Sequence, residues 1–347
     1  MRAITIEPGV PDSARLEIVP EPSPSAGDVL VRTLAMGVCG TDLDLLRGAL
    51  GSAPPGETRL ILGHESLGEV VDAPRGSGFT VGQRVAAIVR RPDPVPCPNC
   101  ASGEWDMCRN GRYTEHGIKG LHGFGADYFR VPGRFLVPVD EDLGIAAVLL
   151  EPTSIVAKAW EHVDRLAART MARPGRVLVT GAGPIGLLAA LLAVERGYDV
   201  HVLDRIVSGP KPDLVADLGA TYHTGRAREV AEEADIVIEC TGAGTVIAEV
   251  LEAHAACGIV CLTGVSSGAR AIPLDLLALN RVLVLENTVV FGTVNANRRH
   301  YDAAAQALVE AEPDWLARLI TREVPLERWS EALERRADDV KPVIRFA

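Results

Sequence analysis

A chain of 347 residues, 47% of them apolar, has material for two domains that each bury a core, and that apolar share argues against disorder. Its 35 basic and 46 acidic side chains leave a net charge of −11, and the few lysines (119, 158, 211 and 341) form no basic cluster that would point to nucleic acid or an anionic membrane. Seven cysteines, an odd number in an acidic chain, argue for metal ligation or buried thiols over a disulfide framework.

The N-terminus, MRAITIEPGV, has no basic segment followed by a long apolar run and reads as a first strand rather than a leader. No uninterrupted apolar stretch reaches the roughly 20 residues of a membrane span, so a cytoplasmic protein without membrane or nucleic-acid partners is expected. Up to about residue 150, short alternating apolar runs such as DVLVRTLAMGV and VGQRVAAIV, separated by Gly and Pro, predict a largely antiparallel β domain. Three stretches in it carry metal-ligand chemistry: VCGTD with Cys39, LGHESLG with His64 and Glu65, and LLEP with Glu151. A thiolate, an imidazole and a carboxylate suit a catalytic zinc that keeps one position open. Taken singly, each also has a structural reading: a core cysteine, a satisfied histidine, a helix-capping glutamate. Between them lies CPNCASGEWDMC, with Cys97, Cys100 and Cys108. It reads as a zinc site short of one ligand, as a redox pair with a bystander, or as a metal-free lobe.

From Leu143 the apolar spacing becomes three and four residues, a helix with Pro152 marking a start or break. Then RVLVTGAGPIGLLAALLAVERGYDVHVLD gives strand, glycine turn, helix and strand. Gly181 permits the tight turn, Gly183 lets a pyrophosphate reach the backbone, and Gly186 lets helix and strand pack, with Pro184 and Ile185 between them. Asp204 closes the second strand eighteen residues past Gly186, where a carboxylate can accept ribose hydroxyls and repel a 2′-phosphate. NAD is therefore favoured over NADP, and the adjacent Arg205 leaves room for dual use. ADIVIECTG, GIVCLTGV and VVFGTVNAN read as further buried strands of an open parallel sheet, with Cys240, Cys257 and Cys261 as core residues. From about Asn295 the tail returns to helix and short strand, expected to pack back on the first domain. Cofactor and substrate are expected in the cleft between domains.

The combination resembles the zinc-dependent medium-chain dehydrogenase/reductase superfamily, which pairs a Cys-Gly-x-Asp turn with Gly-His-Glu-x-x-Gly and a later Glu-Pro ahead of a Rossmann domain. Within it the chain is most similar to the glucose (aldose) 1-dehydrogenases, through CGTD at 39–42, RRP at 90–92, EHGIKGLHGF at 115–124, LLEPTSIVAKA at 149–159 and GTVNAN at 292–297. The resemblance implies an α/β fold in two parts. A GroES-like β-rich catalytic domain takes residues 1–153 and 295–347, with a structural-zinc lobe at about 91–115, and a Rossmann doubly wound parallel-sheet domain takes 154–294.

It further implies Cys39, His64 and Glu151 near a catalytic zinc, with Glu65 an additional or alternating ligand. Thr41, Glu115, Glu151 and Asn295 would surround the sugar hydroxyls. Thr263, Gly264 and Val265, with Gly292, Thr293 and Val294, would line the nicotinamide, and Thr241 joins the cofactor contacts. The family's lobe has four cysteines spaced two, two and seven residues apart, which places the missing first ligand at Pro94. A structural zinc on three thiolates and one other ligand, Asp93 or a carboxylate after Cys108, is expected.

The activity implied is oxidation of an aldose at C1 to its lactone with hydride transfer to NAD(P), in a dimer or tetramer. The proton relay of many zinc alcohol dehydrogenases uses a His after the cysteine turn, and DLDLLRGALGSAPPGE has none, which favours sugars over simple alcohols. Thr41 would then pass the proton to water or the cofactor ribose, or Glu65 would act as base. Rival readings on the same fold are a polyol, threonine or secondary-alcohol dehydrogenase and a dehydrogenase of a modified sugar. A non-catalytic cofactor binder or a zinc-free quinone reductase would lack the ligands present here.

Overall fold

The computed structural model describes residues 1–266 and 271–346. The chain forms two compact units, Met1–Ser154 with Asn295–Ala347, and Ile155–Val294. In chain order the strands are β1 (Arg2–Ile6), β2 (Arg15–Ile18), β3 (Val29–Gly37), β4 (Leu60–Ile61), β5 (Glu65–Asp72), β6 (Arg84–Ala87), β7 (Arg90–Arg91), β8 (Thr114–His116), β9 (Gly120–Leu121), β10 (Tyr128–Val131) and β11 (Leu136–Pro138). They continue as β12 (Arg176–Thr180), β13 (Asp199–Leu203), β14 (Thr221–His223), β15 (Ile236–Glu239), β16 (Ile259–Leu262), β17 (Val289–Gly292), β18 (Arg322–Pro325) and β19 (Pro342–Arg345).

In the first unit the main sheet runs β11-β6-β5-β3-β19-β18, with β10 also paired to β3, and two three-stranded sheets, β2-β1-β4 and β7-β8-β9, flank it. β3 alternates buried and partly exposed side chains over its first half, as a strand with one face on a core must. That core includes Val29, Val31, Val70, Val85 and Phe129. β19 pairs antiparallel with the end of β3, so the C-terminal residues lie beside the strand that leads into Cys39. The glycines of EHGIKGLHGF follow from a close backbone approach. A Cβ on Gly117, at φ +72, would meet Gly63 O at 2.4 Å. The N–H groups of Phe124 and Gly125 donate to Gly63 and Leu62 carbonyls, fixing the backbone just ahead of His64.

The second unit is a six-stranded, all-parallel sheet in the order β14-β13-β12-β15-β16-β17. β15 is buried at every position and β12 at four of five, which is why they read as continuous apolar runs. Its helices are the C-terminal part of α3 (Leu150–Ala167), then α4 (Pro184–Glu195), α5 (Pro210–Asp217), α6 (Ala227–Ala231), α7 (Gly244–Glu252) and α8 (Leu276–Leu285). α4 is apolar on all sides and eight of its residues are buried.

Two sequence expectations change. The helix foreseen from Leu143 begins as a 3-10 run at Glu141, broken at Gly144 (φ 53), and becomes α-helical at Leu150, so Pro152 sits in the first turn of α3. The run Glu141–Ala167 is also long and apolar enough by composition to cross a membrane, although charges interrupt it, and 72% of its most apolar window is buried inside the protein. Cys257 is exposed, at φ 60 in the turn before β16, and is not a core residue; Cys261 is buried and Cys240 partly so.

Candidate metal, sugar and cofactor sites

β3 delivers Cys39 to the start of α1 (Gly40–Leu46), where its Sγ accepts from the Thr41 N–H at 3.3 Å and Asp42 returns a bond to the Cys39 N–H at 2.9 Å. This reciprocal cap explains the CGTD spacing: the residue three past the cap reaches back to it. β5 begins immediately after His64, whose Nε2 lies 3.0 Å from Cys39 Sγ. The other ring nitrogen, Nδ1, faces Asp42 Oδ1 at 3.5 Å, and both atoms are buried without a closer partner. One ring nitrogen turned to a thiolate and the other to a carboxylate is the orientation of a metal-ligating histidine. Burial works to lower the His64 pKa, but the Cys39 and Asp42 charges outweigh it and hold the imidazole well above its ordinary value.

Cys39, His64 and Glu65 place one ligand atom each within 4.8 Å of one another. This nitrogen, sulfur and oxygen donor set fits zinc. Glu65 is committed elsewhere as well: Lys341 Nζ, fully buried, donates to both of its carboxylate oxygens at 2.6 Å and to Val38 O at 3.3 Å. Glu151 is buried outside that trio, and desolvation pushes its carboxyl up to about 7, with His64 and Lys341 pulling down and Glu65 and Asp42 pushing up.

Glu115, on β8, and Asn295, 180 residues later, meet: Asn295 Nδ2 donates to Glu115 Oε1 at 2.8 Å. Asn295 sits at φ 62, and its Oδ1 accepts from Ala296 N–H. Arg90, part of the RRP motif but given no role by the sequence, donates from Nε and Nη2 to the same Oε1 at 3.1 and 2.9 Å. Arg90 is itself fixed by the Asp106 carbonyl and by the Tyr113 ring beneath its guanidinium. Glu115 is therefore a buried, paired carboxylate, and a groove of about 350 Å³ opens beside it between Leu50–Ser52 and Ile118–Lys119.

Cys97, Cys100 and Cys108 also gather their sulfurs within 4.8 Å. Cys97 caps α2 (Pro98–Ala101), and N–H groups of Arg109 and Cys100 directed at its sulfur pull its pKa down to about 6, whereas burial pushes Cys100 up to about 11. Such a polarised trio is suited to a metal. Asp93 does not complete it: its carboxylate is taken up by Val95 N–H, Asn110 and Arg112, and no carboxylate joins the three sulfurs among the described residues.

In the second unit, Gly181 (φ +92) makes the turn and donates to Leu203 O at 2.7 Å. A Cβ on Gly186 would stand 1.7 Å from Gly181 O, while one on Gly183 would meet nothing. Gly183 caps α4 without a side-chain bond, and Pro184 has no N–H, so the first N–H groups of that helix open to an anion begin at Ile185. Asp204 accepts from Ala182 N–H at 2.7 Å and Ile206 N–H at 3.0 Å, and Lys211 lies 3.5 Å from it. Glu239, fully buried at the end of β15, ties together the loops named for the cofactor. Its carboxylate accepts from Thr180, Thr241 and Gly242, and its carbonyl from Thr263 and Gly264. Thr293 donates to Leu262 O, Lys158 Nζ holds the Val294 carbonyl at 3.0 Å, and the Val265 side chain is exposed.

Arg90, Lys341, Asp42 and Glu239 were missed. Asp42 was legible in the Cys-x-x-Asp capping spacing, and Arg90 as a cation in an apolar run. Lys341 carries no local signal, because its partner is 276 residues away.

A family described as "Glucose dehydrogenase C-terminus" matches residues 144–346, and one described as "Alcohol dehydrogenase GroES-like domain" matches 25–141. The chain is 40% identical to a glucose 1-dehydrogenase of Methanocella arvoryzae, over 100% of this chain and 99% of that one. It is 41% identical to a glucose 1-dehydrogenase of Thermoproteus tenax, over 99% of each. A solved structure of Haloferax mediterranei glucose dehydrogenase in complex with NADP, zinc and gluconolactone superposes with a TM-score of 0.92 at 33% identity, covering 100% of this chain and 99% of that one. With matches that run the length of both chains, this protein belongs to the glucose 1-dehydrogenase family of the zinc-dependent medium-chain dehydrogenase/reductase superfamily.

Proposed function

We propose that this chain oxidises a glucose-like aldose at C1 to its lactone, passing hydride to a nicotinamide cofactor. The observation that carries the sugar reading is the Glu115–Asn295 pair, at 2.8 Å, in the same unit as the Cys39–His64 pair. Zinc, when bound, supplies Lewis acidity at the C1 hydroxyl, and the nicotinamide supplies the hydride acceptor.

The chain's residues do the rest. Cys39 and His64 hold the metal, Asp42 orients the imidazole, and Glu151, a carboxyl poised near neutrality, faces the same charges. Arg90 and Asn295 concentrate three donors on Glu115 Oε1, which leaves Oε2 to accept a sugar hydroxyl. The carboxylate of Glu65 is held by Lys341, so the proton from C1–OH passes through the Thr41 hydroxyl rather than to Glu65. The second unit binds the cofactor pyrophosphate over Gly183 and the ribose at Asp204. NAD is preferred because Asp204 opposes a 2′-phosphate, and Lys211 and Arg205 beside it keep NADP usable. Asp204→Ser should move the kcat/KM ratio toward NADP. The protein works as a homo-oligomer, dimer or tetramer, for which the exposed apolar face of α8 is the support.

Cofactor reduction across a panel of aldoses and alcohols, before and after zinc removal, tests the reading. A chelator-sensitive signal with glucose-like aldoses is expected. Turnover of ethanol, sorbitol or threonine with none on any aldose would sink it.

A further inference from the structure

The short turn Trp105–Met107 lies inside the three-cysteine lobe, between Cys100 and Cys108, and is tied to the lobe's own helix. Asn99, on α2, donates from Nδ2 to the Met107 carbonyl at 2.7 Å, and its own carbonyl accepts from the Glu104 N–H at 2.8 Å. The Trp105 ring meets Phe135 edge-on, with centroids 5.7 Å apart. At the centre of the turn Asp106 is buried.

Asp106 reaches both halves of the Glu115–Asn295 pair, by separate routes. Its main-chain carbonyl accepts from Arg90 Nη1 at 3.0 Å, and Nε and Nη2 of the same guanidinium hold Glu115 Oε1. Its side-chain Oδ1 accepts from Asn297 Nδ2 at 2.8 Å, and Glu104 Oε2 accepts from the same amide at 3.2 Å. Asn297 is buried and caps α9 (Arg298–Glu310): its Oδ1 accepts from the Arg299 N–H at 3.2 Å, and its N–H donates to His300 Nδ1 at 3.1 Å. Asn295 stands two residues earlier, at φ 62, a narrow left-handed well. The direction of its amide toward Glu115 therefore follows from where the next two peptides are pinned. None of these bonds involves Cys39, His64 or the glycine turn of the second unit.

We propose that Asp106 is a positioning residue for the sugar, bracing Glu115 through Arg90 and Asn295 through Asn297, so that the three-cysteine lobe sets aldose affinity and leaves the metal and cofactor chemistry to other residues. The inference rests on the sugar reading of the Glu115–Asn295 pair. Hydrogen bonds to a carboxylate are the stronger kind, and two that converge from one buried residue hold both partners in one geometry.

Asp106→Ala removes the acceptor for Asn297 and keeps the main-chain carbonyl for Arg90, whereas Asp106→Asn keeps a side-chain oxygen as well. Steady-state kinetics of the zinc-loaded enzyme with glucose and NAD should show the aldose KM raised about tenfold in Asp106→Ala, with kcat and the cofactor KM within about twofold of the unaltered protein, and most of the loss recovered in Asp106→Asn. Asn297→Ser retains a helix cap without the amide that reaches Asp106, and should raise the aldose KM in the same way even where Asp106→Ala fails to fold. Hydrogen exchange without substrate should quicken at 295–300 in Asp106→Ala and stay unchanged at 181–186. An aldose KM unaltered in Asp106→Ala and Asn297→Ser overturns the proposal. So does a parallel loss in kcat and both KM values that Asp106→Asn shares, since that is the mark of general damage to the fold. If the unaltered protein turns over no aldose, the sugar reading fails by itself; exchange at 295–300 then decides the brace, quickened in Asp106→Ala if it stands and unchanged if it does not.

Discussion

Arg90 shows how much of a polar site is decided by residues that never touch the substrate. Its two bonds to Glu115 Oε1 fix the carboxylate in place, and hydrogen bonds to a charged group are worth about 1.5–3 kcal/mol. Arg90→Gln is expected to raise the aldose KM and cut kcat/KM by about 10- to 100-fold, with the KM for the cofactor unchanged, as steady-state kinetics would show. On the proposed proton route through its hydroxyl, Thr41→Val should act on kcat as well, lowering it by about 100-fold or more. For His64 the sign of the pH effect is fixed by its raised pKa. Without metal, the imidazolium contributes stability below the ordinary value of 6.5 and loses it as pH rises through the raised one. Zinc must displace that proton, so its affinity falls on acidification by about tenfold per pH unit for each proton released, which chelator competition between pH 6 and 8 would measure. These ligands were legible because each sits in a short motif. Lys341, which neutralises Glu65, was not, because an ion pair closed by the C-terminal strand leaves no trace near either residue.

The strand, turn and helix around Gly181–Gly186 were the most legible element, since a glycine spacing records backbone approach directly. The second and third glycines play different parts. On Gly186 a methyl group would collide with the Gly181 carbonyl, so Gly186→Ala should lower thermal stability and soluble yield as well as cofactor binding. On Gly183 a methyl group meets no protein atom within 4 Å. Gly183→Ala should keep its melting temperature and lose cofactor affinity by about tenfold or more, which separates a ligand-facing glycine from a packing one. What the pattern could not show is the knot beneath: Glu239 gathers bonds from three loops that lie up to 84 residues apart, between Thr180 and Gly264. Its sequence context, IECTG, looks like the polar end of an ordinary buried strand. The three-cysteine lobe was half legible in the same way. Spacing brought the sulfurs together, and only the hydrogen bonds of Asp93 show that this carboxylate is spoken for.

Across the whole chain, the separate cysteine clusters predict two zinc ions, one at Cys39–His64 and one at Cys97–Cys100–Cys108. Elemental analysis of Cys108→Ser should find one ion fewer with turnover retained; one ion per chain in the unaltered protein would leave the lobe metal-free. α8 buries only Leu279, while Leu276, Leu277, Val284 and Leu285 are each at least 65% exposed. An exposed apolar face of this kind supports the proposed assembly. Beside it in sequence, β17 ends the six-stranded sheet, with an outer edge unpaired among the described residues. Two such edges related by a two-fold axis can continue the sheet while the helices cover one another's apolar faces, a self-complementary contact that closes as a dimer. The double variant Leu277→Glu with Val284→Glu places like charges on both sides of that contact, and should sediment as a 36.9 kDa monomer where the unaltered protein sediments as a dimer or tetramer. A unaltered protein that is already monomeric at micromolar concentration, or a double variant that stays assembled, would move the interface elsewhere.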